Sequence, residues 1–170
     1  MHTTRDGRAC LLPSFGQAGD DGPTLSICLR CRDAREDSNS GLELRGGRRL
    51  AQAVAHAFPD STAARRGIRL RGVNCKSNCK RSCAIAFSAP GRLTCLFGDL
   101  DPTLHAGDVL CVAAAYAEAE AEAGYLPRPA RPEVLRAGIL ARIPPLGFAG
   151  DLDEPLCLAP RHSTRKSDNP

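Results

Sequence analysis

Five cysteines of this chain fall into two groups. Cys28 and Cys31 form a Cys-x-x-Cys pair in "ICLRC", and Cys75, Cys79 and Cys83 stand four residues apart in "NCKSNCKRSC". Thiols at such spacings can pack as one stripe of a helix, join as disulfides, or serve as thiolates that bind metal or exchange electrons. A buried stripe wants apolar or helix-favouring neighbours. Lys76, Ser77, Asn78, Lys80, Arg81 and Ser82 suit a loop instead. The chain has nine cysteines, an odd number, so a fully paired disulfide framework is excluded. Metal or dithiol chemistry is what remains.

That chemistry requires the intervening elements to bring the two groups together. "TLSICLRC" (Thr24–Cys31) reads as a short buried strand ending at the first pair. Leu50, Val54 and Phe58 mark a helix stripe within Leu42–Phe58; Gly46 and Gly47 weaken its start and Pro59 follows its end. "GIRLRGV" (Gly67–Val73) alternates apolar and basic residues as a second strand, and delivers the chain into the Cys75–Cys83 loop. "CAIAFS" and "RLTCLFG", joined by "APG", read as a hairpin. A helix follows, with Asp101 as its N-cap, Pro102 at its first position and its end at Gly124. The order is βαβ followed by ββα, an α/β domain. Parallel strands of a βαβ unit lie side by side, so the loops after them open on the same edge of the sheet. Those are the two cysteine loops, and four or five thiols are expected to converge there.

Residues 126–145 suggest an extended, proline-fixed arm around a short apolar helix. Residues 1–22 read as a flexible leader, 23–145 as the metal-binding domain with its arm, and 146–170 as a flexible tail.

Converging thiolates suit zinc or an iron–sulfur cluster. Zinc sites commonly use Cys-x2-Cys knuckles, whereas the second pair here is Cys-x3-Cys. A 2Fe–2S cluster takes two ligands per iron, which Cys28 with Cys31 and Cys75 with Cys79 could supply. The cluster is therefore preferred, with zinc the alternative. Cys83 is an alternative ligand or a thiol that holds the loop by packing at the start of the next strand. A third reading is a dithiol oxidoreductase using Cys28 and Cys31.

The topology and the "NCKSNCKRSCAIAF" loop resemble the thioredoxin-like ferredoxins, in which a Cys-x3-Cys follows the second strand and precedes a hairpin; Cys75 and Cys79 match it. The first ligand pair of that group is more widely separated than Cys28 and Cys31, and Cys83 has no counterpart among its ligands. The segments "ICLRC", "CKSNCKRSCAIAF", "FGDLDP" and "RPEVLRAGILARIPP" resemble an uncharacterised bacterial family, domain of unknown function 1636, over Leu25–Pro145. Together these resemblances imply a thioredoxin-like fold with a Cys-rich loop edge and an extended C-terminal arm. They also imply metal binding, with zinc or cobalt handling linked to cobalamin metabolism as a further possibility.

Charge and composition bound the partners. Lys76, Lys80 and Arg81 lie in one cysteine loop and Arg30 and Arg32 flank the other pair. Positive charge favours thiolate and would steer an acidic redox partner protein to the site. A net charge of +4 with two Tyr, five Phe and no Trp gives little reason to expect nucleic acid. No apolar run reaches the roughly 20 residues of a membrane span, no secretory signal is evident, and a cytoplasmic location is expected. Cys95 and Cys111 read as core residues, Cys10 and Cys157 as incidental tail residues, and His56 and His105 as surface helix residues without a ligand role. Arg128, Arg131, Arg136 and Arg142 form either an anion site or, preferably, a packing arm with exposed arginines. No Ser/His/Asp set, phosphate loop or paired-acid motif occurs, so an electron carrier is expected rather than an enzyme.

Overall fold

The β-branched and leucine residues after Pro23 form strand β1 (Thr24–Cys28), an interior strand of a five-stranded sheet. The computed structural model describes residues 22–33, 41–119, 126 and 131–145. After β1 come helix α1 (Gly46–Ala57), a four-residue helix α2 (Thr62–Arg65) and strand β2 (Arg69–Val73). Strands β3 (Ile85–Ser88) and β4 (Thr94–Phe97) make the expected hairpin, followed by α3 (Ala106–Glu118), the short α4 (Glu133–Ala137) and β5 (Ile139–Ile143). The sheet order is β2-β1-β3-β4-β5, with β1 and β2 parallel and every other pair antiparallel. This is the α/β, thioredoxin-like arrangement: βαβ, then ββα. Among the described residues, no helix is long and apolar enough to cross a membrane.

One face of the sheet carries the core. Leu25 and Ile27 of β1 pair with Phe87 and Ile85 of β3, and Phe97 of β4 lies beyond them. Leu50 and Val54 of α1 and Val109, Val112 and Tyr116 of α3 close over that face. Phe87 stacks on Tyr116 at 5.6 Å and meets Phe97 edge-on at 5.7 Å. The Tyr116 hydroxyl donates to Leu93 O at 2.9 Å, and burial pushes its pKa up to about 12.

Three elements differ from expectation. The expected helix over Leu42–Phe58 divides into a single 3-10 turn, Leu42–Leu44, and α1 proper. The helix α3 begins at Ala106, because the Asp101 carboxylate closes a separate turn ahead of it. That carboxylate accepts from the Thr103 and Leu104 N–H groups at 2.7 and 3.1 Å, while Asp101 N donates to His105 Nδ1 at 2.9 Å. The helix ends at Glu118, where Ala119 turns extended (ψ 130°); the rest of the "AEAEAEA" stretch, from Glu120, lies outside the described residues. Finally, the arm is part of the sheet: β5 pairs antiparallel with β4, with a bulge at Leu96/Phe97. Cys95 is buried as expected. Cys111 is exposed, on the side of α3 opposite Val109, Val112 and Tyr116.

Candidate functional site

The parallel pairing sets Cys28 directly beside Val73, so β1 and β2 end level and release their loops together. Leu29 N donates to Val73 O at 2.8 Å, tying the Cys-x-x-Cys turn to the end of β2. The approach to β3 forms the third wall. Cys28 N donates to Ala84 O at 3.0 Å, and Ala84 N donates to Cys31 Sγ at 3.4 Å.

The fourth wall is the N-terminus of α1. Gly47 N donates to Cys31 O at 3.0 Å. A Cβ at Gly47 would overlap Cys28 O and stand 3.2 Å from Cys31 Cβ, and one at Gly46 would stand 2.9 Å from Asp33 Cβ and 3.1 Å from Cys83 Sγ. The two glycines thus let the helix end come into contact with three thiol-bearing residues, Cys28, Cys31 and Cys83, all 2% exposed or less. This places the positive end of the α1 dipole beside them, where it favours negative sulfur. Sequence reasoning treated the glycines as a weakness of the helix. Their value shows only when the strand packed against them is known.

The thiols are electrostatically unequal. A hydrogen bond from the Cys31 thiol, joined by the backbone N–H groups of Arg30, Lys76 and Cys31, pulls the Cys28 pKa down to about 5 against the opposing effect of burial. Cys31 moves in the opposite direction: its hydrogen is committed to Cys28, and burial and the Cys28 and Cys83 charges keep it protonated. Burial also lowers the Lys76 pKa, with Arg71 acting in the same direction and the Cys28 and Cys31 charges opposing. The hydrogen bond favours thiolate on Cys28 and thiol on Cys31.

Cys75 and Cys79 occupy the facing loop and are both exposed. Cys75 Sγ accepts from Ser77 N at 3.2 Å, with Ser77 in the left-handed region (φ 57°). Cys79 starts a single 3-10 turn, Cys79–Arg81. The turn is clamped at its end, where Arg81 Nε lies 2.9 and 2.8 Å from the two Asp99 carboxylate oxygens and Asp99 N donates to Arg81 O at 3.2 Å. Cys83 follows, held by two backbone hydrogen bonds to Leu100 at 3.2 and 3.4 Å.

The five thiols therefore occupy one edge in two tiers. Cys28, Cys31 and Cys83 form a buried tier, and Cys75 and Cys79 an exposed one. Among the described residues, no three or more His, Cys, Asp or Glu side chains are arranged as a metal site. In donor chemistry the residues still fit a soft metal or an iron–sulfur cluster: one thiolate is already favoured, backbone N–H groups point at it, and a second pair lies in the loop whose Lys76 N–H touches it. His56 is exposed on α1, and His105 accepts from Asp101 N in the turn ahead of α3. The arm's arginines are not all exposed, as Arg131 is buried; Arg136 and Arg142 are exposed, and Arg128 lies outside the described residues. Asp99 and Gly98, which hold the end of the cysteine loop, were missed in the sequence, although "FGDLDP" draws attention to both.

The profile of a family described as "Protein of unknown function (DUF1636)" matches residues 25–145. No curated protein matches the chain. A solved structure, that of a thioredoxin-like 2Fe–2S ferredoxin from Aquifex aeolicus, is similar over 76% of this chain and 100% of that chain, at 13% identity and a TM-score of 0.46.

Proposed function

The chain belongs to the DUF1636 family, and from that premise we propose that it is a metal-binding redox module, a one-electron carrier holding a 2Fe–2S cluster through Cys28, Cys31, Cys75 and Cys79. The observation that carries this reading is the Cys28 sulfur. It is buried, its pKa is drawn below that of an ordinary thiol, and it receives N–H groups from both cysteine loops at once. Sulfur ligands of redox centres require that environment, because N–H groups directed at sulfur stabilise its negative charge and tune the potential.

When bound, the cluster supplies reversible one-electron transfer. The chain supplies the rest. The lowered Cys28 pKa eases loss of the proton that ligation requires. Gly46 and Gly47 keep the α1 end close to the thiols, and Ala84 N fixes the Cys31 sulfur. Exposed Arg30, Arg32 and Lys80 rim the edge and favour an acidic redox partner protein by steering its approach. Thiols outside any disulfide at this edge suit the reducing cytoplasm.

A second reading has its own observation, the direct Cys31-to-Cys28 hydrogen bond with opposed pKa shifts. In a dithiol oxidoreductase, the Cys28 thiolate would attack a substrate disulfide and Cys31 would resolve the mixed disulfide. The chain would leave with a Cys28–Cys31 disulfide and the substrate as a dithiol. Cys28→Ser and Cys75→Ser separate the two. The cluster reading expects both variants to lose iron and sulfide. The dithiol reading expects Cys28→Ser to lose disulfide reductase activity and Cys75→Ser to keep it. Zinc in place of iron in the wild type would favour a structural or metal-delivery role instead.

A further inference from the structure

Among the described residues, four large apolar side chains are well exposed: Leu42 (48%), Leu44 (61%), Leu104 (74%) and Ile143 (53%). A single exposed leucine is ordinary, and only a grouping of them carries meaning. Three of these four lie on the turns that lead into α1 and α3, and both turns stand at the cysteine edge. Leu42 and Leu44 belong to the 3-10 turn ahead of α1, two residues from Gly46, where an added Cβ would meet Cys83 Sγ at 3.1 Å. On the other side, β4 ends at the same edge as β1, because Phe97 pairs with Ile85 and Ile85 with Ile27. The chain then passes Cys83, exchanging backbone hydrogen bonds with it through Leu100 at 3.2 and 3.4 Å. Leu104 follows four residues later, its N–H held by the Asp101 carboxylate at 3.1 Å. Cys83 is thus an anchor shared by both leucine-bearing turns. Ile143 pairs with Thr94 at the start of β4, at the opposite edge. The two cysteine loops add exposed Arg30 and Lys80, while the Asp99 carboxylate of this edge is engaged by Arg81.

We propose that Leu42, Leu44 and Leu104 are the apolar contacts on which a redox partner protein docks, and that the partner presents an apolar patch bordered by carboxylates. The identity of the partner as a redox protein rests on the redox reading of the cysteine edge. Transient redox complexes use small interfaces, below about 1,200 Å², with an apolar centre and a polar rim. Three leucines flanked by Arg30 and Lys80 have that composition, and the cations select a face bearing carboxylates. A partner seated there stands beside Cys75 and Cys79, the exposed thiols of the edge. One electron passes between its flavin, haem or iron–sulfur centre and the cysteine-held centre, with no bond made or broken.

The test places a benzophenone side chain at Leu44, at Leu104 and, as control, at Ile143 of the full chain in its native host, and identifies the photo-crosslinked species by mass spectrometry. The Leu44 and Leu104 positions are expected to capture one and the same protein, with a redox cofactor and an acidic surface, and the Ile143 position is not. Titration with that protein in purified form follows. The double variant Leu44→Ser, Leu104→Ser is expected to bind it about tenfold or more weakly, with an unchanged unfolding midpoint because both side chains are exposed. Added salt is expected to weaken the wild-type complex further. The proposal is overturned by crosslinks to a second copy of this chain, to lipid or to a protein without a redox cofactor, by none above the Ile143 control, or by wild-type affinity in the double variant. Iron and sulfide analysis of the same protein keeps the two claims apart. Their absence would refute the cluster, whereas loss of the crosslink with both present would refute the surface.

Discussion

The second residues of α1 and α3 are both glycine, and the same substitution should act in opposite directions at the two. Replacing glycine by alanine within a helix ordinarily stabilises by about 0.5–1 kcal/mol, because alanine loses less conformational freedom on folding. At Gly107 nothing lies within 4 Å of an added methyl. Gly107→Ala should therefore be stabilising by about that amount. At Gly47 the methyl would overlap the Cys28 carbonyl and press on Cys31 Cβ at 3.2 Å, and neither contact is the flexible end of a side chain. Relief requires the α1 end to back away, stretching the Gly47 N–H bond to Cys31 O. Overpacking of this kind costs about 1–3 kcal/mol, which exceeds the helix gain. The net expectation for Gly47→Ala is a loss of about 1–2 kcal/mol. Urea unfolding of both variants, with the denaturant slope monitored, measures the two signs. Metal content supplies a second readout, with Gly47→Ala expected to lose bound metal and Gly107→Ala to keep it. Equal stability and equal metal content in the two variants would refute the close approach of α1 to the thiols.

Other outcomes follow from the same geometry. In the metal-free protein, thiolate absorbance should report one group titrating near pH 5. Because that group's folded pKa lies below its ordinary 9.0, the folded state binds fewer protons, so stability should rise with pH between these values and be lost as pH falls through about 5. Above pH 9 the reluctant Cys31 reverses the trend, and a chemical-denaturation series across pH would detect the maximum. Tyr116→Phe leaves the buried Leu93 carbonyl only the weak Cys95 thiol donor at 4.0 Å and should destabilise by about 1–2 kcal/mol, measured by thermal or urea unfolding, without altering metal content. Asp99→Asn weakens the Arg81 clamp on the cysteine loop and should speed metal loss to a chelator, while Cys111→Ser, on the exposed side of α3, should leave that rate unchanged.

Alternation and turn chemistry made most of the sheet legible in the sequence. The β1, β2, β3 and β4 segments each carry a local signal, and the parallel pairing of β1 with β2 follows from a crossover helix between them. The Cys28/Cys31 and Cys75/Cys79 loops could be placed on one edge for that reason. Strand β5 was not legible, because "GILARI" follows prolines and a short apolar turn, and only pairing with β4 makes it a strand. The start of α3 depended on Asp101 choosing a nearby turn over the helix, a choice between two local hydrogen-bond sets that residue preference does not resolve. The burial of Cys83 was open as one of two alternatives, and the exposure of Cys79 was hidden. Both depend on the contacts of Leu100 and Asp99 with the loop, which come from residues 17 to 18 positions further along the chain. The division of charge between Cys28 and Cys31 is a tertiary effect too, as one of its causes is an N–H group from Lys76 on the other loop.

The most direct test of the metal-redox account is analysis of the full chain purified without air, by visible absorption together with iron, acid-labile sulfide and zinc content. The account predicts a coloured protein with iron and sulfide in equal amounts, bleached on reduction. A colourless protein containing zinc, or no metal after the same care, would contradict it.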